Sequence, residues 1–357
     1  MGIVPIRGRG AAGNPPNRFE SIWFEPEPVL PDPGDPLPYR ETQYLRDRSR
    51  TVISRNASPD IPFEASLNLY RGCSHGCIYC YARPTHEYLG LSAGLDFETK
   101  VFVKEDGPEL LRAELSSPRW VPQVLALSGI TDPYQPAERH FELTRRALGV
   151  LAEFRNPVVI ITKNYLVTRD LDHLIELARH DAAAVQISVT TLDRSLQRVM
   201  EPRTAIPERR LEAIRVLSDA GVPVGVMVAP VIPGLTDHEL PAILESAAEA
   251  GARYASYIPL RLPHGVAALF QEWLELHYPE RSRRVLNRIR EIRGGRLNDP
   301  RFGSRMRGVG PYAEQIRSLF EITCSRLGLS RQRPELSARS FRRPDEQLGL
   351  FGLDTNP

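Results

Sequence analysis

VVIITKNYLVTRDLDHLIELARHDAAAVQISVTT, residues 158–191, contains two strands and the helix between them. VVIIT (158–162) is an unbroken apolar run, the mark of a strand buried on both faces. Leu171–Arg179 has helical spacing, and VQISVTT (185–191) reads as the next strand. Doubly buried strands joined through a helix form a parallel pair. The same alternation runs outward on both sides. Downstream, the helix Glu208–Gly221 closes on Gly221, PVGVMVAPVI (223–232) is a strand, and His238–Ala250 is a helix. YASYIPLRL (254–262) and the helix Val266–His277 follow. Upstream lies a long amphipathic helix, Glu138–Phe154, with Phe141, Leu148, Leu151 and Phe154 on one face. VLALSG (124–129) is the buried strand before it, and Ser66–Tyr70 reads as the first strand of the series. Between these, Tyr81–Leu91 reads as a helix, ETKVFVK (98–104) alternates like a strand, and Pro108–Leu115 has helical spacing. Six strand–helix units predict an α/β fold, a partial (βα)6 TIM-like barrel. Its chemistry is then expected at the C-terminal ends of the strands.

The unusual residues fall at those ends. SLNLYRGCSHGCIYCYAR (66–83) follows the first strand and carries Cys73, Cys77 and Cys80 in a C-x3-C-x2-C run. Only one other cysteine exists, Cys324, which reads as a small core residue of a helix at Pro311–Leu327. Three thiolates from one loop can hold a metal centre, one ligand short of a closed structural site. A zinc ion with His75 as fourth ligand is the competing reading. Thr131 and Asp132 follow the second strand, Lys163 ends the third, Ser188 lies in the fourth, and Glu201 and Arg203 come after it. Lys163 is one of only three lysines among 46 basic residues, the others being Lys100 and Lys104. A lysine that ends an apolar strand needs an anion or water beside it.

C-x3-C-x2-C with Tyr79 just before the last cysteine resembles the radical S-adenosylmethionine (SAM) superfamily. YRGCSHGCIYCYARP, with TDPYQPAE, IITK and VAPVIPGLTD downstream in the same order, is similar to its spore photoproduct lyase-like branch. The resemblance spans about Ile61 to Arg307. It implies a 4Fe–4S cluster on Cys73, Cys77 and Cys80, with SAM chelated at the fourth iron. It further implies reductive cleavage of SAM to a 5′-deoxyadenosyl radical that abstracts hydrogen from a substrate. By the same resemblance Tyr79 packs beside the cluster and adenine. Thr131 and Asp132 face the SAM amino group, and Lys163 and Ser188 hold its carboxylate and ribose. Glu201 and Arg203 add polar contacts. Met227, Val228 and Ile258 are candidates to line the adenine, with barrel core as the competing reading. An electron donor such as flavodoxin or ferredoxin is implied as a partner. The lyase returns a hydrogen atom from a cysteine in the segment after the second strand. No cysteine lies between Ser128 and Asp132 here, and Tyr134 is the nearby candidate relay.

Four cysteines in 357 residues do not make a disulfide framework, and no apolar run reaches the ~20 residues of a membrane span. MGIVPIRGRGAAGNPPNRFE (1–20) lacks a signal-peptide core, so a cytoplasmic protein is expected. Four regions are expected. Residues 1–58 are an irregular Pro/Gly/Arg-rich extension, 59–295 the barrel, 296–343 a helical basic extension, and 344–357 a flexible tail. Residues 281–343 hold 17 arginines against five acids, a net +12 in a chain of net +2. A polyanion is the partner such a stretch fits, and nucleic acid is the expected substrate class. Modification of a protein or small molecule, or a non-catalytic iron–sulfur or zinc protein that binds nucleic acid, are the alternatives. Gln347, Leu348, Leu350 and Phe351 in the tail resemble the QLxLF peptide by which bacterial repair proteins dock on the sliding clamp.

Overall fold

The computed structural model describes residues 4–20 and 37–344, so the QLGLF peptide lies outside the described residues. Two short strands, β1 (Gln43–Arg46) and β2 (Ile53–Arg55), precede β3 (Ala65–Leu67) and β4 (Tyr70–Arg71). After the cysteine loop come α1 (Leu95–Thr99), β5 (Lys100–Val103) and α2 (Gly107–Ser116). The repeating units then follow: β6 (Leu125–Leu127), α3 (Glu138–Phe141), α4 (Leu143–Phe154), β7 (Val158–Thr162) and α5 (Leu171–Ala178). They continue through β8 (Ala183–Ser188), α6 (Arg194–Met200), α7 (Pro207–Asp219), β9 (Val224–Val231), α8 (Leu240–Glu249) and β10 (Tyr254–Pro259). Helices α9 (Val266–His277), α10 (Pro279–Ile292), α11 (Ser304–Arg307) and α12 (Pro311–Leu327) follow.

Strands β3, β6, β7, β8, β9 and β10 pair in sequence order, all parallel, and β2 adds antiparallel to the edge of β3. This is the expected six-stranded partial barrel. A separate three-stranded sheet, β1-β5-β4, flanks it. The extension before residue 58 is thus partly strand, because β1 and β2 each add to a sheet edge. The long helix read over Glu138–Phe154 breaks at Glu142, whose φ of +48° is left-handed. There the Glu138 carboxylate accepts the amide of Thr144 at 2.8 Å and starts a new helix, α4. The helix read over Tyr81–Leu91 is a 3-10 helix over Arg83–Leu89.

Strand residues alternate between two environments. Leu67, Leu127, Val158, Ile160, Val185, Ile187, Val226 and Val228 join the core under the outer helices. Their neighbours face the lumen. Ser66, Ala126, Val159 and Ala184 are aligned in register as one layer. Above that layer Ile161, Met227, Ser256 and Ile258 are all half-buried, so the upper lumen is open. Met227 and Ile258 therefore line the cavity and Val228 belongs to the outer core.

The lower lumen is closed. Phe63, Val124 and Leu336 pack against Ala126, Val159 and Ala184. Leu336 belongs to a strap that leaves α12, pairs with the β10 edge through Ser330, and crosses beneath the barrel. The strap caps the ends of outer helices as it passes. The Ser337 amide donates to Asp181 O, the Arg342 amide to Phe154 O, and the Arg343 guanidinium to Ser117 O. Such contacts satisfy carbonyls that helix ends leave open, with basic residues at the favourable pole.

Candidate active site

The cysteine loop emerges from β4 at the upper end. Its backbone is gripped at several points. Gln135 brackets Cys73: its amide nitrogen donates to Gly72 O at 3.1 Å and its oxygen accepts the Ser74 amide at 3.0 Å. The Arg83 guanidinium donates twice to Cys77 O, at 3.0 and 2.9 Å. The Ile78 amide donates to Met200 O at 3.0 Å, and the Arg203 amide to His75 O at 3.2 Å. Gly76 turns the loop with φ +71°, where a side chain would be strained and would meet the Glu98 carboxylate.

Arg83 and Glu98 form an ion pair with no exposure on either side chain. Glu98 also accepts the amides of Gly10 and Ala11 at 3.0 and 2.9 Å. Residues 5–17 thereby form a belt against the outside of the loop. A Cβ on Gly10 would stand 1.9 Å from Gly76 O, so backbone lies on backbone there. Arg9 fixes the belt further through Glu98 O at 2.8 Å and Thr42 Oγ1 at 2.9 Å. The Arg203 side chain donates to the same Thr42 hydroxyl at 3.0 Å. None of this has a periodic signal, because the belt is held by its own amides and by Arg9 on acceptors far away in the sequence.

All four cysteines are free, and Cys73 and Cys77 are buried. Burial pushes all three loop thiols up, Cys73 with help from Asp132 and Cys77 from Glu201. Lys163 acts against the rise at Cys77 and Cys80. Cys324 packs with Ile316, Phe320 and Leu329 in the outer core, as a small apolar residue would.

Lys163 is the centre of the polar group above the lumen. Its ammonium donates to Ser188 Oγ at 2.6 Å, Ala229 O at 2.9 Å and Thr190 Oγ1 at 3.2 Å. It stands 3.3 Å from Glu201 Oε1 and 5.7 Å from the centroid of the Tyr79 ring. Burial, and then the Arg210 charge, bring its pKa down to about 8 against the pull of Cys77 and Asp132. Glu201 is fully buried and both oxygens are engaged, by Tyr79 OH and Thr190 on one side and Arg210 on the other. It therefore holds Tyr79 and Lys163 in place. Burial raises its pKa and Arg210 opposes the rise.

Tyr79, Lys163, Ser188 and Glu201 are thus brought together. Asp132 stands apart as a tie between loops. It accepts the Lys163 amide at 2.8 Å, the Thr162 hydroxyl at 2.7 Å and the Tyr134 amide at 2.9 Å. His75 Nδ1 is 3.4 Å from its second oxygen, long for a hydrogen bond, and His75 Nε2 is 3.3 Å from the Asn164 amide. Asn164 donates its other proton to Tyr134 O at 2.7 Å, so His75 Nε2 is the acceptor. Thr131 bonds Ser128 Oγ at 2.8 Å and is half-buried beside the lumen. Tyr134 lies in the outer core, its hydroxyl near Asp170 and Glu138 rather than facing the loop. Tyr81, which follows the last cysteine, carries no sequence signal for the contact it makes. It is half-exposed, and its hydroxyl donates to Gly129 O at 2.7 Å. Gln135 was legible only as a polar residue inside TDPYQPAE.

Residues 67–247 match the family described as the radical SAM superfamily. An uncharacterised protein of Mycobacterium tuberculosis is 41% identical over 65% of this chain and 68% of its own length. The spore photoproduct lyase of Bacillus subtilis is 27% identical over 47% of this chain and 46% of its own. A solved spore photoproduct lyase, complexed with dinucleoside spore photoproduct, superposes with a TM-score of 0.57 at 16% identity, covering 80% of this chain and 81% of that one. That likeness is one of fold, and it places the same incomplete barrel in both proteins. With a family match over half its length, taking in the cysteine loop and the strands that follow it, the chain belongs to the radical SAM superfamily of enzymes.

Proposed function

We propose that Cys73, Cys77 and Cys80 hold a 4Fe–4S cluster, that Lys163 and Ser188 hold SAM beside it, and that the substrate is nucleic acid. The observation that carries this reading is a juxtaposition. Three free thiols from one loop lie at the same barrel end as an ammonium cradled by two hydroxyls. The donor set fits a cluster with one iron left for a small ligand. A cubane takes one thiolate per iron and spreads its ligands.

When bound, the cluster and SAM supply a 5′-deoxyadenosyl radical that removes hydrogen from a substrate. The chain's own residues position and shield. Arg83, Gln135 and the belt fix the loop backbone, so three thiols are presented in one arrangement. Burial favours the protonated thiols, so loading a metal centre on them releases protons. Lys163 offers its positive charge to a carboxylate from a partly desolvated setting, where the attraction is strong. Tyr79, pinned by Glu201, is a fixed wall beside it. Nucleic acid is favoured by the lyase among the relatives and by the basic stretch 281–343. The missing cysteine between Ser128 and Asp132 argues for a reaction other than the lyase's own.

The test is anaerobic reconstitution followed by dithionite and SAM. An iron–sulfur spectrum and release of 5′-deoxyadenosine are expected. Lys163→Ala should weaken SAM binding about tenfold or more with the cluster spectrum unchanged, the scale of one charge-assisted hydrogen bond. A fully loaded cluster that yields no deoxyadenosine refutes the reading.

A further inference from the structure

Among the described residues, Arg261 is a cation without a counterion at the upper end of the barrel. It follows β10 and Leu260, whose carbonyl accepts two hydrogen bonds from the buried Arg293, at 3.1 and 2.6 Å. Arg293 also holds Pro259 O at 2.9 Å, so the backbone that carries Arg261 is pinned. The guanidinium lies 5.5 Å from the centroid of the Tyr81 ring, next to the last cysteine of the loop. Tyr81 in turn bonds Gly129 after β6. Arg261 therefore stands where the cysteine loop, the loop after β6 and the end of β10 meet.

Its hydrogen-bonding capacity is unspent. The Nε atom is buried with no partner, and one terminal nitrogen meets only the Met306 sulfur at 3.3 Å. No carboxylate among the described residues lies within ion-pair distance of it. The acid whose field reaches it, Asp60, is already taken by Arg305 through two bonds of 2.8 and 2.5 Å. Burial and the Arg305 charge both weigh against the protonated form. A guanidinium in this position is costly unless a ligand brings an anion to it.

The surroundings suit one kind of anion. Tyr81 presents a half-exposed ring, and Phe302, on the segment that contributes Met306, is 61% exposed. An exposed ring beside an arginine with free donors is an element of single-stranded nucleic-acid binding, with bases stacked and the backbone neutralised, and Phe302, whose ring lies under Arg305, is a second exposed ring on the adjoining segment. We infer that Arg261 anchors a phosphate of the substrate at the lip of the barrel, beside the cysteine loop. This rests on the nucleic-acid reading above and adds to it a position. A phosphate held there puts the adjoining nucleoside over the lumen where Lys163 and Ser188 lie. The SAM carboxylate is the other anion that can reach this end of the barrel, and the experiment separates the two.

The reconstituted holoprotein with SAM is titrated with fluorescein-labelled oligothymidylate and with the same oligomer carrying uncharged methylphosphonate linkages. Arg261→Met is expected to weaken phosphodiester binding about tenfold and to leave methylphosphonate binding and SAM affinity unchanged. Arg261→Lys should recover part of the loss. Equal loss for both oligomers, no loss for either, or a loss of SAM affinity instead would overturn the phosphate anchor. A wild-type protein that binds neither oligomer removes the nucleic-acid reading and the anchor with it. Wild-type binding with an indifferent Arg261→Met removes the anchor alone.

Discussion

The upper and lower ends of the barrel are made from the same strands and treat polar atoms in opposite ways. At the lower end Phe63, Val124 and Leu336 close a dry layer on Ala126, Val159 and Ala184, and the strap's polar groups turn outward to cap helices. At the upper end Glu201, Arg210 and His75 are buried beside the partly exposed Lys163 and Asp132, and among the described residues thiols and a guanidinium keep unspent bonding capacity. Burying charge costs free energy that burying alanine and leucine does not. Changes at the lower end should therefore be read in stability and changes at the upper end in ligand loading, and the two should fail separately.

The largest separation is expected at the thiols. Replacing Cys73, Cys77 or Cys80 with Ala should abolish cluster loading in each case, read as iron content after anaerobic reconstitution. Cys324→Ala, in the outer core, should load fully and lose stability alone. Full iron in Cys77→Ala would break the division.

Next comes the belt. Glu98 is the acceptor that joins Arg83, Gly10 and Ala11. Glu98→Ala leaves the Arg83 charge buried without its partner, which costs about 3–5 kcal/mol. Part of that loss should appear as faster oxygen bleaching of the cluster, since the belt lies directly on the loop. A stable variant with a wild-type bleaching rate would show that the belt serves the fold and not the loop.

Leu336→Ala tests the lower end. The side chain is only half-buried, so about 1–2 kcal/mol is expected in urea unfolding, below the range for a fully buried leucine. Iron content and SAM affinity should not change. If SAM affinity falls with stability, the two ends are coupled through the lumen.

The same contrast governs what could be read from the residues. Strands β7, β8 and β9 were visible because each is an apolar run long enough to exclude a loop. The cysteine spacing was visible because ligand geometry constrains sequence directly. Glu142 gave no warning of a helix break, since the cause is a carboxylate four residues earlier and the buried hydroxyl of Tyr70 bonded to it. The belt was hidden for a related reason: GRGAAG has no apolar period, and its role depends on a carboxylate at position 98. Asp132 was legible as a polar residue at a strand end. Its partners, three of them backbone or hydroxyl donors from β6 and β7 loops, were not.

The basic stretch divides along the same line, and this gives the smallest effect. Many of its arginines are structural. Arg293 is buried on carbonyls, Arg301 pairs with Asp299, Arg305 with Asp60, and Arg333, Arg342 and Arg343 hold the strap. On α10 the apolar side, Val285, Leu286, Ile289 and Ile292, packs inward. Arg281, Arg283 and Arg284 on that helix have no carboxylate within ion-pair distance among the described residues. They sit together on one helix, exposed and open to phosphates. Each such contact releases counterions, so the slope of log K against log salt should fall by about 0.9 for every one removed on duplex DNA. The comparison is Arg281→Gln, Arg283→Gln and Arg284→Gln together against Arg342→Gln. The triple variant should flatten the salt response at nearly unchanged stability. Arg342→Gln should do the reverse, losing the guanidinium bond to Glu153 O at the end of α4 while keeping the slope. A slope that responds to Arg342 and ignores α10 would move the nucleic-acid surface to the strap and make the lower end more than a floor.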